Sequence, residues 1–182
     1  MRIRHLRLPK DRIGVAIGSR GEIKEEIERR TGTKLVLEGK TGKVVVRSGE
    51  ENPLGALTAK DVLTAIGRGF SPSRAFRLFD DEIYLVVVDI TAYTGRSDKA
   101  RGRLKGRIIG EGGKTRRLIE ETTGASLSIY GKTVAMVGTP EQLGVVREAV
   151  HMLLRGVPHS AVYKFLERKR REVKRRVSLW RK

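Results

Sequence analysis

A shift of 92 residues lays Gly14 through Thr41 onto Gly106 through Thr133 without a gap, and 12 of the 28 aligned positions are identical. The matches are Gly14/Gly106, Ile17/Ile109, Gly18/Gly110, Gly21/Gly113, Ile27/Ile119, Glu28/Glu120, Thr31/Thr123, Gly32/Gly124, Leu35/Leu127, Gly39/Gly131, Lys40/Lys132 and Thr41/Thr133. Most are glycines or apolar residues, which set backbone geometry and core packing. The chain is therefore read as a duplicated folding unit with two cores. Its 182 residues suit two domains of about 80 to 90 each. With 38% apolar and 33% charged residues, it can bury ordinary cores.

Periodicity fills in each unit. Arg2 to Leu8 alternates, with Ile3, His5 and Arg7 opposite Arg4, Leu6 and Leu8, as a half-buried strand would. A short helix is expected over Lys10 to Ala16. Glu22 to Arg30 is rich in helix formers, sets Ile23 and Ile27 one turn apart, and stops at Thr31-Gly32. Strands at Lys34 to Glu38 and Lys43 to Arg47 flank a turn-like Gly39 to Gly42, and a helix from Leu54 to Ile66 carries Leu54, Leu57, Val62, Leu63 and Ile66 as apolar contacts.

The second unit repeats this order. Ile83 to Ile90 is its first strand, Tyr93 to Ala100 an extra polar stretch, Lys99 to Ile108 a helix, Gly110 to Gly113 a turn, and a further helix runs through Thr123. Strands near Ser126 to Tyr130 and Thr133 to Val137 precede a helix from Pro140 to Leu154, where proline suits the first turn. Gly67 to Asp81 joins the units as a packed connector, with Ala75, Phe76, Leu78 and Phe79 in a short apolar pattern. Ser160 to Val177 forms a last helix. The expected domains are 1–68, a connector at 69–81, 82–157, and a basic C-terminal helix at 158–182.

Charge narrows the function. Lys and Arg number 39 against 21 Asp and Glu, a net +18 that attracts polyanions, above all nucleic acid. No apolar run reaches the roughly 18 residues a membrane span needs, and MRIRHLRLPK lacks the apolar segment of a secretory signal. A cytoplasmic protein without membrane partners is expected. With no Cys, the chain has no disulfide, thiolate zinc site or Cys nucleophile.

The order strand, helix, glycine turn, helix, strand, strand, helix, with Ile17-Gly18-Ser19-Arg20-Gly21 and Ile109-Gly110-Glu111-Gly112-Gly113 at the turns, resembles the eukaryotic-type (type I) KH domain. Two copies at one offset, each followed by a helix and a Thr-Gly stop, are far more specific than a lone GxxG. The resemblance covers most of residues 2 to 68 and 82 to 155. It implies an α+β fold of two tandem KH domains, each a three-stranded antiparallel sheet packed against three helices. More narrowly, Gly106 to Arg116 and the strand Tyr84 to Ile90 are similar to the partner-of-Nob family of paired-KH ribosome-assembly factors, in its compact archaeal form. That family implies binding near the 3′ end of small-subunit rRNA during maturation, alongside a processing nuclease, a methyltransferase or ribosomal proteins. Glu111 is acidic where KH loops are usually basic, and Lys24 and Arg116 stand where Ile is usual.

The chemistry of such a turn is plain. A main chain without Cβ atoms can approach a phosphate closely and offer N–H donors, and the next helix N-terminus adds partial positive charge. In KH folds the turn clamps about four nucleotides while an apolar groove takes the bases. The RNA-binding candidates are Gly18, Ser19, Arg20 and Gly21 in the first copy. In the second they are Arg107, Ile108, Ile109, Gly110, Glu111, Gly112, Gly113, Lys114, Arg116, Arg117 and Ile129. Leu127 could also supply core or groove wall. Lys10 to Arg30 holds six basic and five acidic residues, against six and three in Gly102 to Thr122, so the second copy is the better expected RNA site.

Lys164 to Lys182 carries ten basic and two acidic residues, a second footprint for RNA or simply a solvated helix face. Trp180 is open between stacking on RNA and packing. Enzyme readings fail on spacing. Gly110 to Thr115 suggests a nucleotide loop until its first glycine is placed at position 108, which is Ile108. His5, His151 and His159 lack metal-ligand spacing, and Asp80-Asp81-Glu82 more simply keeps a strand entrance solvated. No enzyme activity, metal or cofactor is expected. The leading reading is a single-stranded RNA-binding protein of rRNA processing. The alternatives are an adaptor docking proteins through its first KH unit, and an RNA-binding subunit of an RNA degradation complex.

Overall fold

The computed structural model describes residues 2–180. The chain separates into two units, residues 1–85 and 86–182, with the division falling inside the strand Tyr84–Asp89 that belongs to the second sheet.

The first unit runs β1 (Arg2–Arg7), α1 (Lys10–Ile17), a single 3₁₀ turn (Ser19–Gly21), α2 (Glu22–Thr31), β2 (Thr33–Leu37), β3 (Lys43–Ser48) and α3 (Pro53–Gly67). Its sheet has the order β1-β3-β2. Both pairings are antiparallel, and His5, Val45 and Val36 lie in one row across it. The alternation in β1 works as the sequence implies: Ile3, His5 and Arg7 are exposed while Arg4 and Leu6 turn inward. Ile13, Ala16, Ile27, Leu35, Val44, Val46, Val62, Leu63 and Ile66 fill the core.

Local chemistry sets the helix ends. α2 stops at Gly32, which takes the left-handed conformation (φ 62°) that glycine adopts without a Cβ clash. Asn52 caps α3 by accepting the Gly55 N–H at 2.8 Å, and its amide donates to the Thr31 carbonyl at 2.8 Å, which ties the α3 start to the α2 end. Leu54 and Leu57 do not act as core contacts. They are 73% and 41% exposed, because Ala56, Ala59, Val62, Leu63 and Ile66 define the buried face of α3.

Residues 69–81 are packed against the first unit. Phe70, Ala75 and Leu78 are buried along α4 (Pro72–Ala75) and a 3₁₀ turn (Phe76–Phe79). The Arg30 guanidinium sits 4.1 Å from the centre of the Phe79 ring.

The second unit runs β4 (Tyr84–Asp89), α5 (Thr91–Thr94), α6 (Asp98–Ile109), a 3₁₀ turn (Glu111–Gly113), α7 (Lys114–Thr123), β5 (Ser126–Tyr130), β6 (Thr133–Gly138), α8 (Pro140–Leu154) and α9 (His159–Trp180). The sheet order β4-β6-β5 repeats that of the first unit. The polar stretch after β4 is folded rather than loose. It forms α5, the Ser97 hydroxyl caps α6, and the Tyr93 hydroxyl meets His151 Nδ1 at 2.5 Å. Thr139 and Gln142 close a reciprocal capping box at α8.

One core collects Ile90, Ile108, Ile119, Leu127, Val134, Met136, Val146, Val150 and Leu153 together with Val162 and Leu166 of α9. Burial of each of those last two side chains is worth about 1.5 to 3 kcal/mol, enough to dock the first half of α9 on the unit. Beyond it the apolar residues open to solvent, with Val173 at 42%, Val177 at 50% and Leu179 at 74% exposure. The Trp180 ring, with Arg181 and Lys182, lies outside the described residues.

Candidate nucleic-acid interface

The two glycine turns share one backbone trace. Gly18, Arg20 and Gly21 have φ of 76°, 54° and 83°, and Gly110, Gly112 and Gly113 have 75°, 59° and 78°. All six sit in the left-handed region, which favours glycine. The first glycine of each turn is also required sterically. A Cβ on Gly18 would collide with the Ile23 side chain, and one on Gly110 with Thr115 Oγ1. Each first glycine closes the preceding helix, with Gly18 N–H donating to Gly14 O at 2.9 Å and Gly110 N–H to Gly106 O at 2.8 Å. Arg20 is the only described non-glycine residue with positive φ. The first loop therefore holds a cation at the position where the second holds Gly112.

Charge separates the two turns where the next helix begins. The first turn of α2 carries Glu22 and Glu25, whereas that of α7 carries no acid and follows Lys114 with Arg116 and Arg117. Lys114 is exposed at the helix N-terminus. Arg117 donates to the Gly112 carbonyl at 3.1 Å, and Arg116 lies 3.8 Å from Glu120. In the first unit Lys24 faces Glu28 at 4.0 Å, and Glu28 also faces Lys34 at 3.8 Å.

The remaining sequence candidates divide. Ser19, Arg20, Glu111 and Gly112 are exposed at the turn tips, while Gly18, Gly21, Gly110, Gly113, Ile109 and Ile129 are half-buried around them. Ile108 is fully buried in the core and offers no groove wall. Arg107 is also committed elsewhere: its Nε donates to Leu153 O at 3.1 Å and its Nη2 to Val157 O at 2.6 Å. A guanidinium spent on two backbone carbonyls is not a free phosphate ligand.

Hydrogen bonds that the sequence did not reveal surround the second turn. Thr115, 1% exposed, shares one with the Tyr163 hydroxyl at 2.8 Å. His159 Nε2 meets the Arg107 carbonyl at 2.9 Å. His159 and Tyr163 are one helical turn apart, their rings edge to face at 6.1 Å. The i,i+4 spacing is legible in sequence, but nothing in it names partners some 50 residues away.

Among the described residues, no group of three or more His, Asp or Glu is placed to hold a metal ion. Asp80 Oδ1 instead accepts the Glu82 N–H at 2.9 Å. No described helix is long and apolar enough to cross a membrane.

Residues 84–171 match the eukaryotic type KH-domain (KH-domain type I) family, in the form of the PNO1 second KH domain. The chain is 48% identical over 180 residues to KH domain-containing protein MJ0443 of Methanocaldococcus jannaschii, covering 97% of this chain and 78% of that protein. It superposes with a TM-score of 0.88 on a chain of the a/eIF2alpha-aDim2p-rRNA complex from Pyrococcus horikoshii OT3, at 46% identity over 94% of this chain and 95% of that one. It is 31% identical over 105 residues to the pre-rRNA-processing protein PNO1 of Chaetomium thermophilum, covering 57% of this chain and 40% of that protein. A duplicated unit with matching left-handed glycine turns and this degree of identity across nearly the whole chain have one reading: the protein belongs to the PNO1/Dim2 family of KH-domain proteins, in its archaeal form.

Proposed function

We propose that this chain is a non-enzymatic, single-stranded RNA-binding protein of small-subunit rRNA maturation that binds near the 3′ end of that rRNA. Residues 1–68 and 82–157 act as its two KH units, and the second is the principal RNA site. One observation carries this reading: Gly110–Gly113 opens onto a helix whose first residues are Lys114, Arg116 and Arg117 without an acid. A phosphate set there meets backbone donors, the positive end of α7 and its side-chain cations together. Gly110 to Gly113 clamps the backbone, while Ile109 and Ile129 flank the bases. The pre-rRNA-processing name of the fungal relative and the rRNA in the archaeal complex support the same class of target.

The first turn serves a different role. Glu22 and Glu25 repel phosphate at the place where α7 attracts it, which favours a docking function for this unit beside the RNA site. A processing nuclease, a methyltransferase or ribosomal proteins are the partners that fit a cytoplasmic factor of this kind.

Crosslinking the protein to RNA in cells and sequencing the fragments tests the proposal. Reads should concentrate at the 3′ end of small-subunit rRNA and fall when Gly110–Gly113 is altered. A spread over unrelated transcripts would overturn the rRNA assignment.

A further inference from the structure

We infer that His159 and Tyr163, on the first turns of α9, are positioning residues that brace the second glycine turn from behind and set it for phosphate. The inference rests on the RNA-binding reading of that turn.

The turn has two supports to fix: the end of α6 before it and the start of α7 after it. α9 reaches both. His159 Nε2 lies 2.9 Å from the Arg107 carbonyl, three residues before Gly110, and the Tyr163 hydroxyl lies 2.8 Å from Thr115 Oγ1, two residues after Gly113. A carbonyl only accepts, so the imidazole donates from Nε2. Thr115 Oγ1 is the same atom that a Cβ on Gly110 would strike, so the bonded hydroxyl sits directly beneath the first residue of the turn. Arg107 is gripped at a third point, since its guanidinium holds the Leu153 and Val157 carbonyls at the junction from α8 to α9. The packing of His159 on Tyr163 makes the two bonds one unit.

The first unit supplies an internal comparison. It has its own arginine clasp, with Arg12 donating to the Ile66 and Phe70 carbonyls at 2.8 Å each. At the repeat offset, however, Ile23 stands where Thr115 stands, and an aliphatic side chain accepts no hydroxyl partner. The polar brace belongs to the turn whose following helix is cationic. A turn that presents N–H groups to phosphate gains when those groups are ordered before binding, because the ordering cost is then not drawn from the affinity.

The test uses the full chain, Tyr163→Phe and His159→Leu, and a single-stranded RNA oligonucleotide matching the 3′ end of small-subunit rRNA. Tyr163→Phe removes one oxygen and should weaken RNA binding about three- to tenfold, the span of one hydrogen bond. The salt dependence of binding should stay as in the unaltered protein, since every cation that meets phosphate is still in place. Amide hydrogen exchange at Gly112, Gly113 and Lys114 should quicken with or without RNA. Thr115→Val should match Tyr163→Phe, and the double variant should lose little more than either alone. Unchanged affinity and unchanged turn exchange in Tyr163→Phe would overturn the brace. A flattened salt dependence would overturn it too, because it would mean that cation–phosphate contacts had been lost and not only the order of the turn. If the unaltered chain fails to bind the RNA, the RNA reading fails, while exchange at the turn still decides whether α9 orders it. Should His159→Leu not fold, Tyr163→Phe carries the decision.

Discussion

Arg107 Nη2 donates to the Val157 carbonyl oxygen at 2.6 Å, and the matching bond in the first unit, from Arg12 Nη2 to the Phe70 carbonyl, measures 2.8 Å. The two arginines are not equivalent in the repeat. At the 92-residue offset Arg12 aligns with Leu104 and Arg107 with Val15, so the donors come from positions about one helical turn apart on α1 and α6. Each reaches one carbonyl in the last turn of a helix, Leu153 or Ile66, and one in the segment just beyond it, Val157 or Phe70, and so ties the chain leaving that helix to the helix before the glycine turn.

Replacing Arg107 with Ala should therefore act on the fold first. Loss of two charge-assisted bonds into part-buried carbonyls should cost about 1.5 to 3 kcal/mol in urea unfolding. The salt dependence of RNA binding should not change. Unaltered stability with a flatter salt dependence would return Arg107 to the phosphate.

Arg107 also marks where the sequence stops being legible. The repeat, the helix starting at Pro140 and the glycine turns follow from local rules, because capping, periodicity and positive φ are properties of neighbouring residues. Which side chains face out does not follow in the same way. Leu54 and Leu57 look like core on a helical wheel, yet Ala56 and Ala59 take the buried face with Val62, Leu63 and Ile66. Arg107 next to a glycine turn looks like a phosphate ligand until its reach to residues 153 and 157 is seen. His159 and Tyr163 gain meaning only when α9 folds back, a contact no local pattern encodes.

Asp61 gives a pH prediction. Burial raises its carboxyl above the ordinary 3.8, and the nearby Lys60 and Arg4 only partly offset the rise. The folded state thus holds this proton more tightly than the unfolded chain, so stability falls as the pH rises from 3.8 to the raised value and the loss is complete above it. Asp61→Asn should be more stable than the unaltered protein near neutrality. The difference should shrink as the pH falls through that raised value toward 3.8. Thermal unfolding across this window checks it, and a gap that widens in acid would contradict the burial argument.

Removal of Lys169 to Lys182 takes away eight basic residues and one acid, yet leaves Val162 and Leu166 in the core. The Arg176–Glu141 pair at 3.0 Å is exposed and contributes about 1 kcal/mol or less, so the unit should stay folded. RNA affinity should fall by similar factors for unrelated sequences, because a dense cationic helix meets phosphate rather than reading bases. The salt dependence should flatten by about 0.7 in log–log slope for each phosphate that the tail had neutralised. Unchanged affinity would make this stretch a solvated face.

The ranking of the two turns is tested by placing Asp at both tip positions of each. In the second turn, Glu111→Asp with Gly112→Asp adds one negative charge. In the first, Ser19→Asp with Arg20→Asp shifts the charge by three, the larger electrostatic insult. The backbone cost runs the other way. Position 20 already carries a side chain at φ 54°, whereas Gly112 at φ 59° would gain one, at about 1 to 2 kcal/mol. Glu111→Gln with Gly112→Asn imposes that cost without charge and separates strain from repulsion. A like charge beside phosphate at a partly shielded surface costs on the order of a few kcal/mol, so the second-turn Asp variant should bind RNA at least about tenfold more weakly than its neutral control. The first-turn variant should lose less despite its greater charge change, because Glu22 and Glu25 already repel phosphate at the start of α2. Each variant is compared at one salt concentration after its unfolding midpoint is shown to match its control. An equal or larger loss from the first turn would make Arg20, the exposed cation between the glycines there, the stronger phosphate ligand and would reverse the assignment of the principal site.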